Sequence, residues 1–267
     1  VFVQKPVPIY GSEQVTNGDF SQTGAEQVTN GDFENGSTGW TFSAQCEVVN
    51  SQARIISTDG SFQYISQNNV FDTNKIYKLE FDVISSNGAT LGFAGGIPDV
   101  ETSTLGRKTL YVSPSVSYLQ IKRSSGVTDV SIDNVSVKEV GQDWTLGTGW
   151  SIGEDKVVAD NVSSNTIQSL SSIDANKSYK ISFNISDYSG GQFFITFGGN
   201  DNTINFIANG SYSVYINPTN TVNNIFYLRG NSFTGSVTNI SVQEVLSPAS
   251  DFTFTRGSNL SATRVNE

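Results

Sequence analysis

The sequence predicts an all-β chain of two tandem antiparallel β-sandwiches of jelly-roll type, with an extended N-terminal arm and the start of a further segment at the C-terminal side. Three observations predict it: a long internal repeat, an apolar period of two inside each copy, and turn residues at short regular intervals. No segment carries a sustained helical period.

The long repeat sets the domain count. Gly39-Trp40-Thr41-Phe42 returns as Gly149-Trp150-Ser151-Ile152, and Asn74-Lys-Ile-Tyr-Lys78 as Asn176-Lys-Ser-Tyr-Lys180. Phe93-Ala-Gly-Gly96 returns as Phe197-Gly-Gly199, and Tyr111-Val-Ser-Pro114 as Tyr215-Ile-Asn-Pro218. Ser131-Ile-Asp-Asn-Val-Ser-Val-Lys-Glu-Val140 returns as Ser236-Val-Thr-Asn-Ile-Ser-Val-Gln-Glu-Val245. Matches in the same order, roughly 100 residues apart, mark a domain duplication; a solenoid unit spans only about 20–50 residues.

A shorter repeat precedes it. Gly11-Ser-Glu-Gln-Val-Thr-Asn-Gly-Asp-Phe20 is followed by Gly24-Ala-Glu-Gln-Val-Thr-Asn-Gly-Asp-Phe33, and only the second copy runs on into Glu34-Asn-Gly-Ser-Thr-Gly-Trp40. The first copy reads as a duplicated arm and the second as the start of a domain. Residues 1–24, with Pro6 and Pro8, are then an arm or linker. Residues 25–140 form the first module and 141–246 the second, which opens at Gly141-Gln-Asp-Trp144 without Asn-Gly-Asp-Phe. Residues 247–267, where Phe252 and Phe254 alternate, read as a linker or the first strand of an incomplete third module.

Within the modules, Tyr77, Leu79, Phe81 and Val83 alternate with Lys78, Glu80 and Asp82, and Tyr179, Ile181, Phe183 and Ile185 alternate with polar residues. This is the pattern of half-buried antiparallel strands. Asn-Gly, Gly-Gly and Asn-Pro steps punctuate them, and Gly95-Gly96 and Gly198-Gly199 fit bends or bulges. Trp40 and Trp150 follow glycine at the entry of first strands and read as core or rim anchors; Trp144 has no repeat partner and reads as a residue of the domain junction.

Composition narrows the chemistry. The net charge of −10 argues against nucleic acid and anionic membrane as partners, since both reward Lys and Arg. No apolar run approaches the ~18–20 residues of a membrane span, and no signal peptide stands at the start. Histidine is absent and Cys46 is alone, which removes His-based nucleophile pairs, His and zinc sites, and an internal disulfide. Cys46 reads as a small apolar residue. Methionine is absent, position 1 included, as expected of a processed chain or a piece of a longer one. Carboxylates remain for catalysis, and a glycosidase needs two of them ~5–10 Å apart. Asp99 with Glu101, and Glu154 with Asp155, are close in sequence, but neither pair recurs in the other copy. Both read as solvated loop charges, and the chain as no enzyme.

Asn30-Gly-Asp-Phe-Glu34, Gly39-Trp40 and the closing Ile132-Asp-Asn-Val-Ser-Val137 resemble the bracketing motifs of jelly-roll carbohydrate-binding modules, most closely families 4, 9 and 22. The pairing of Val-Thr-Asn-Gly-Asp-Phe with Ser-Ile-Asp-Asn-Val-Ser-Val-Lys-Glu-Val, and the segment Asp251-Phe-Thr-Phe-Thr-Arg-Gly-Ser258, also resemble tandem modules of bacteriophage tail and fibre proteins. The resemblance covers residues 25–267 and rests on scaffold motifs. It implies a structural Ca²⁺ in the first module held by Asp32, Glu34 and Asp133, a hard cation that takes 6–8 oxygens. The second module has Thr238 at the position of Asp133. Asp32 fits equally an ordinary Asn-Gly-Asp turn.

Sugar recognition on a sandwich uses aromatic faces with amides and charges beside them. Alternation places Tyr111, Tyr118, Gln120 and Lys122 outward in the first module, and Phe194, Tyr215, Tyr227 and Arg229 outward in the second. These eight residues are the candidate carbohydrate contacts; a subunit interface or plain strand surface accounts for them as well. Three functions follow. The first is a non-catalytic tail or fibre protein on the virion surface, binding host-surface polysaccharide alongside other virion proteins, as a homo-oligomer. The second is a purely structural virion component, a decoration or spacer. The third is the accessory binding region of a larger glycan-degrading enzyme.

Overall fold

The computed structural model describes residues 8–201, 204–219 and 224–247. Every regular element among them is a β-strand, and all pairing is antiparallel. The expected third-module strand around Phe252 lies outside the described residues.

The chain divides into two compact units, but not where the sequence suggests. Ser21–Gln142 is one, and residues up to Phe20 together with Asp143 onward make the other. The first opening segment is therefore not an arm: β1 (Ile9–Glu13) pairs with the last strand of the second module. The second module does own an Asn-Gly-Asp-Phe motif, and the first module is inserted behind it.

In the first module β2 (Thr23–Glu26) is followed by β3 (Thr41–Phe42), β4 (Glu47–Val49), β5 (Gln52–Ser57), β6 (Tyr64–Gln67) and β7 (Ile76–Ser86). Then come β8 (Thr90–Phe93), β9 (Val100–Glu101), β10 (Gly106–Val112), β11 (Leu119–Arg123) and β12 (Thr128–Val140). One sheet runs β10-β7-β12-β5-β4 with β2 on β12; the other runs β3-β6-β11-β8-β9. Consecutive long strands thus alternate between sheets, which is the jelly-roll order. Tyr77, Leu79, Phe81 and Val83 face Ile65, Leu91, Phe93, Leu119 and Ile121 in one core, as alternation predicts. Cys46 is buried in it.

The second module uses β1, β13 (Trp150–Gly153), β14 (Lys156–Val162), β15 (Asn165–Ser169), β16 (Tyr179–Phe197), β17 (Asn200–Asp201), β18 (Gly210–Ile216) and β19 (Ile225–Ser247). Here β16 matches β7 plus β8, and β19 matches β11 plus β12, so both layers belong to one continuous eight-stranded sheet. The fold-over lies at the register breaks between Ser186 and Gln192, where Asp187 and Gly191 take positive φ. The two halves of β16 then pack on each other, Phe183 against Phe193 at 5.2 Å and Tyr179 against Phe197 at 5.0 Å between ring centroids.

The repeated Glu-Gln-Val-Thr-Asn-Gly-Asp-Phe is explained contact by contact. Glu26 Oε1 accepts from Val137 N (2.7 Å) and its Oε2 from Ser136 Oγ (2.5 Å); Glu13 does the same with Val242 N and Ser241 Oγ at the same distances. Gln67 clamps the Thr29 backbone through both amide atoms, and Gln168 clamps Thr16. The carbonyls of Gly31 and Gly18 accept from Val135 N (2.8 Å) and Ile240 N (2.9 Å). The glutamates and the glycine carbonyls satisfy N–H groups that the bulged last strand leaves open, and the glutamines satisfy the main chain of the opening segment itself.

Two tryptophan assignments change with this. Trp40 Nε1 donates to the carbonyls of Thr29 and Asn30, and its ring lies 5.4 Å from Phe33. Trp144 Nε1 donates to the carbonyl of Asn17, and its ring lies 5.2 Å from Phe20. Trp144 is thus the counterpart of Trp40 and a core residue of the second module, not a junction residue. Trp150, six residues on, occupies the place of Cys46 and packs on Phe233 at 6.2 Å.

Candidate functional site

The outward residues of β11 build one face of the first module. Leu119 and Ile121 point into the core, so Gln120 and Lys122 point out. Register places Gln120 opposite Ser66, and Lys122 between Tyr64 on β6 and Gly92 on β8. Tyr64 stacks against Phe62 at 5.5 Å, and Phe62 is 55% exposed. The side chains of Gln120 and Lys122 make no hydrogen bond or ion pair with any described residue. Gly92 leaves the room that the lysine stem fills: a Cβ there would stand 3.3 Å from Lys122 Cε.

The second module has the same lattice with other side chains. Arg229 stands where Lys122 does, between Asn165 on β15 and Phe194 on β16, and Tyr227 stands where Gln120 does, between Ile167 and Thr196. The Arg229 guanidinium lies 4.8 Å over the Phe194 ring and donates to Thr196 Oγ1 at 3.1 Å. A cation laid on an aromatic face next to a second ring is a rigid, amphipathic surface. Sequence reasoning missed Tyr64 because the inward set around it, Gln63, Ile65 and Gln67, holds two glutamines and one apolar residue, which hides the apolar alternation.

The eight predicted contacts do not share one face. Tyr111 lies on β10, opposite Lys78, in the other sheet. Tyr215 lies on β18, opposite Lys180, in the equivalent half of the second module. In each module the neighbouring strand in sequence belongs to the opposite layer, so Tyr111 is separated from Gln120 and Lys122 by the whole core, and Tyr215 from Tyr227. Tyr118 precedes β11 and is half-buried. Tyr215 is 61% exposed and its hydroxyl meets that of Tyr10 at 3.0 Å, with Lys180 Nζ 4.8 Å over the Tyr10 ring. The hydrogen bond with Tyr10 and partial burial hold the Tyr215 hydroxyl above the ordinary tyrosine range.

The three predicted metal ligands stand near one another without closing into a cage. Burial pushes the Asp133 carboxyl up from the ordinary range, the Asn134 N–H opposes this, and the charges of Asp82, Asp32 and Glu34 add to it. Among the described residues no three His, Cys, Asp or Glu side chains converge tightly enough to hold a metal by themselves. The second module supplies the comparison. Thr238 Oγ1 donates to the carbonyls of Asp155 (2.8 Å) and Asp19 (3.3 Å). At the matching place in the first module a carboxylate replaces that hydroxyl donor, while Asp32 repeats Asp19. Beside it an open groove of about 520 Å³ is lined by Glu26, Asn30, Asp32, Asp82, Arg107 and Asn134.

No protein-family model matches the chain, and no curated protein matches it. Among solved structures it is similar to the N-terminal CBM22-1-CBM22-2 tandem domain from Paenibacillus barcinonensis Xyn10C, with 13% identity and a TM-score of 0.37 over 87% of this chain and 94% of that one.

Proposed function

We propose that this chain is a non-catalytic polysaccharide-binding protein of a bacteriophage tail or fibre, displayed on the virion surface, and that each module contacts host glycan through the outer face built on β11 and on the first half of β19. The observation that carries the sugar-binding part is the shared lattice: a cation at the same point in both modules, Lys122 and Arg229, flanked by rings from Tyr64 or from Phe194 and Tyr227. Two such weak faces on one chain gain by effective concentration. The virion context rests on the resemblance of the bracketing motifs, and finding the chain by mass spectrometry in purified particles tests it.

Binding of the full chain to a glycan array and to host cells tests the sugar face. Tyr64→Ala and Tyr227→Ala are each expected to weaken binding about tenfold, near the 1.4 kcal/mol typical of a stacked ring. Tyr111→Ala and Tyr215→Ala, on the opposite layer, serve as matched controls and leave binding unchanged. The opposite pattern would assign the contact to the other sheet. A folded chain that binds no glycan favours the structural virion role, for which the exposed Tyr10–Tyr215 pair offers an assembly contact.

The same proposal includes a structural Ca²⁺ in the first module, with Asp133, Asp32 and Glu34 on one side and main-chain oxygens completing the set. It rests on the exchange of a hydroxyl donor at Thr238 for a carboxylate at Asp133, which turns a carbonyl-facing position into one that suits a hard cation. At a concentration of one hundred times Kd, calcium adds about 2.7 kcal/mol to the module. Asp133→Asn removes this calcium-dependent rise in Tm and, in chelator, leaves the module no less stable than wild type, because it deletes one of several like charges. An equal calcium response in both proteins, or none in the wild type, overturns the site.

A further inference from the structure

Residues 13–20 and 26–33 are the same eight residues in the same order. They occupy two slots with matching partners: the glutamate on the last-strand bulge, the threonine backbone on a glutamine amide, the glycine carbonyl on a last-strand N–H, and the phenylalanine under a tryptophan. Both are edge elements, for among the described strands β1 is hydrogen-bonded to β19 alone and β2 to β12 alone. The contacts the two slots share discriminate weakly between one slot, or one chain's slot, and another; the slot-specific ones, Tyr10 with Tyr215 and Ser171 with Gln14, lie at the exposed margin. The tether is then the main term that assigns them.

The two tethers differ. Segment 26–33 is followed directly by the strands of its own module. Segment 13–20 is separated from the rest of its module by all of Ser21–Gln142. Once that inserted module has folded, Thr23 pairs with Val140 and the tether becomes short. Before then, its slot is across a long unfolded loop, and closing such a loop costs more entropy as its length grows. During that interval an arm from another chain competes on better terms than it does later. After docking, the buried Val15 and Phe20 hold whichever arm arrived first.

We propose that Ile9–Phe20 of one chain completes the second module of a second copy of this chain, so that the protein self-associates by strand exchange fixed during folding. No residue in the sugar face takes part, so this association stands or falls separately from glycan binding.

The main-chain geometry offers a direct probe. A Cβ at Gly11 would lie 3.3 Å from Glu244 Cβ, close to the about 3.5–4.5 Å spanned in a disulfide. Full-length Gly11→Cys and Glu244→Cys chains are unfolded, refolded as a mixture, oxidised and run without reductant. The expected result is a disulfide-linked dimer, severalfold above that from the same chains refolded separately and then mixed. Ser113→Cys, exposed in the first module, replaces Gly11→Cys as the control and gives no such excess. Equal amounts in co-refolded, separately refolded and control mixtures overturn the proposal. Wild-type chain gives a second readout that needs no cysteine: it is refolded at low and high concentration, brought to one concentration and sized. A dimer fraction that rises with refolding concentration and persists on dilution supports exchange; identical monomer profiles reject it.

Discussion

Phe20→Ala is expected to destabilise the second module by about 3–5 kcal/mol, the usual cost of truncating a fully buried phenylalanine, and to leave the first module untouched. Phe20 is 1% exposed and packs on Trp144, which in turn packs on Phe226 at 6.3 Å. The residue precedes the entire first module in sequence, so the distant effect is diagnostic. Two modules give two unfolding transitions in calorimetry or denaturant. Phe20→Ala lowers one of them, and Phe33→Ala, with Phe33 also 1% exposed against Trp40, lowers the other. An arm residue outside any core would cost within about 0.5 kcal/mol on the same substitution. A small effect of that size would return residues 9–20 to the status of a linker.

Gly31→Ala is expected to cost more than about 4 kcal/mol, enough to remove a large part of the about 5–15 kcal/mol that holds a domain together. A Cβ on Gly31 would stand 1.9 Å from the carbonyl oxygen of Val135, and one on Gly18 would stand 2.0 Å from that of Ile240. Neither glycine has positive φ; each is required because two main chains approach where a methyl group has no space. Relief demands moving the loop off the last strand, which breaks the Gly31 carbonyl bond to Val135 N. The expected readout is loss of the first module's transition with the second retained, and the reverse for Gly18→Ala. Gly190→Ala is the matched control, since nothing lies within 4 Å of its added Cβ.

Local alternation made much of this legible. The inward sets Tyr77–Val83, Tyr179–Ile185 and Phe193–Phe197, and the outward direction of Gln120, Lys122, Tyr227 and Arg229, follow from a period of two and hold in the fold. The layer to which a strand belongs is not written in its own residues. Tyr111 and Gln120 lie on consecutive strands and point outward alike, but β10 and β11 join different sheets, a fact fixed only by long-range pairing. The repeat misled in one place for a similar reason. Gly-Trp at Trp150 matches Trp40 by eye, whereas Trp144 matches it by contact, through an opening segment that lies far upstream. The grouping of Asp32, Glu34 and Asp133 came from the resemblance of the bracketing motifs; Asp32 and Glu34 lie in the opening loop and Asp133 at the register break of β12.

The pairing of Thr23 with Val140 has one more consequence. The inserted module enters and leaves through neighbouring points, so to its host it behaves as a cassette set into a surface turn. A gene can gain or lose such a piece without disturbing the flanking sandwich, provided the piece brings its own opening segment. The doubled Glu-Gln-Val-Thr-Asn-Gly-Asp-Phe is the scar that this kind of growth leaves: each nested module needs one copy, and the copies collect side by side upstream of both.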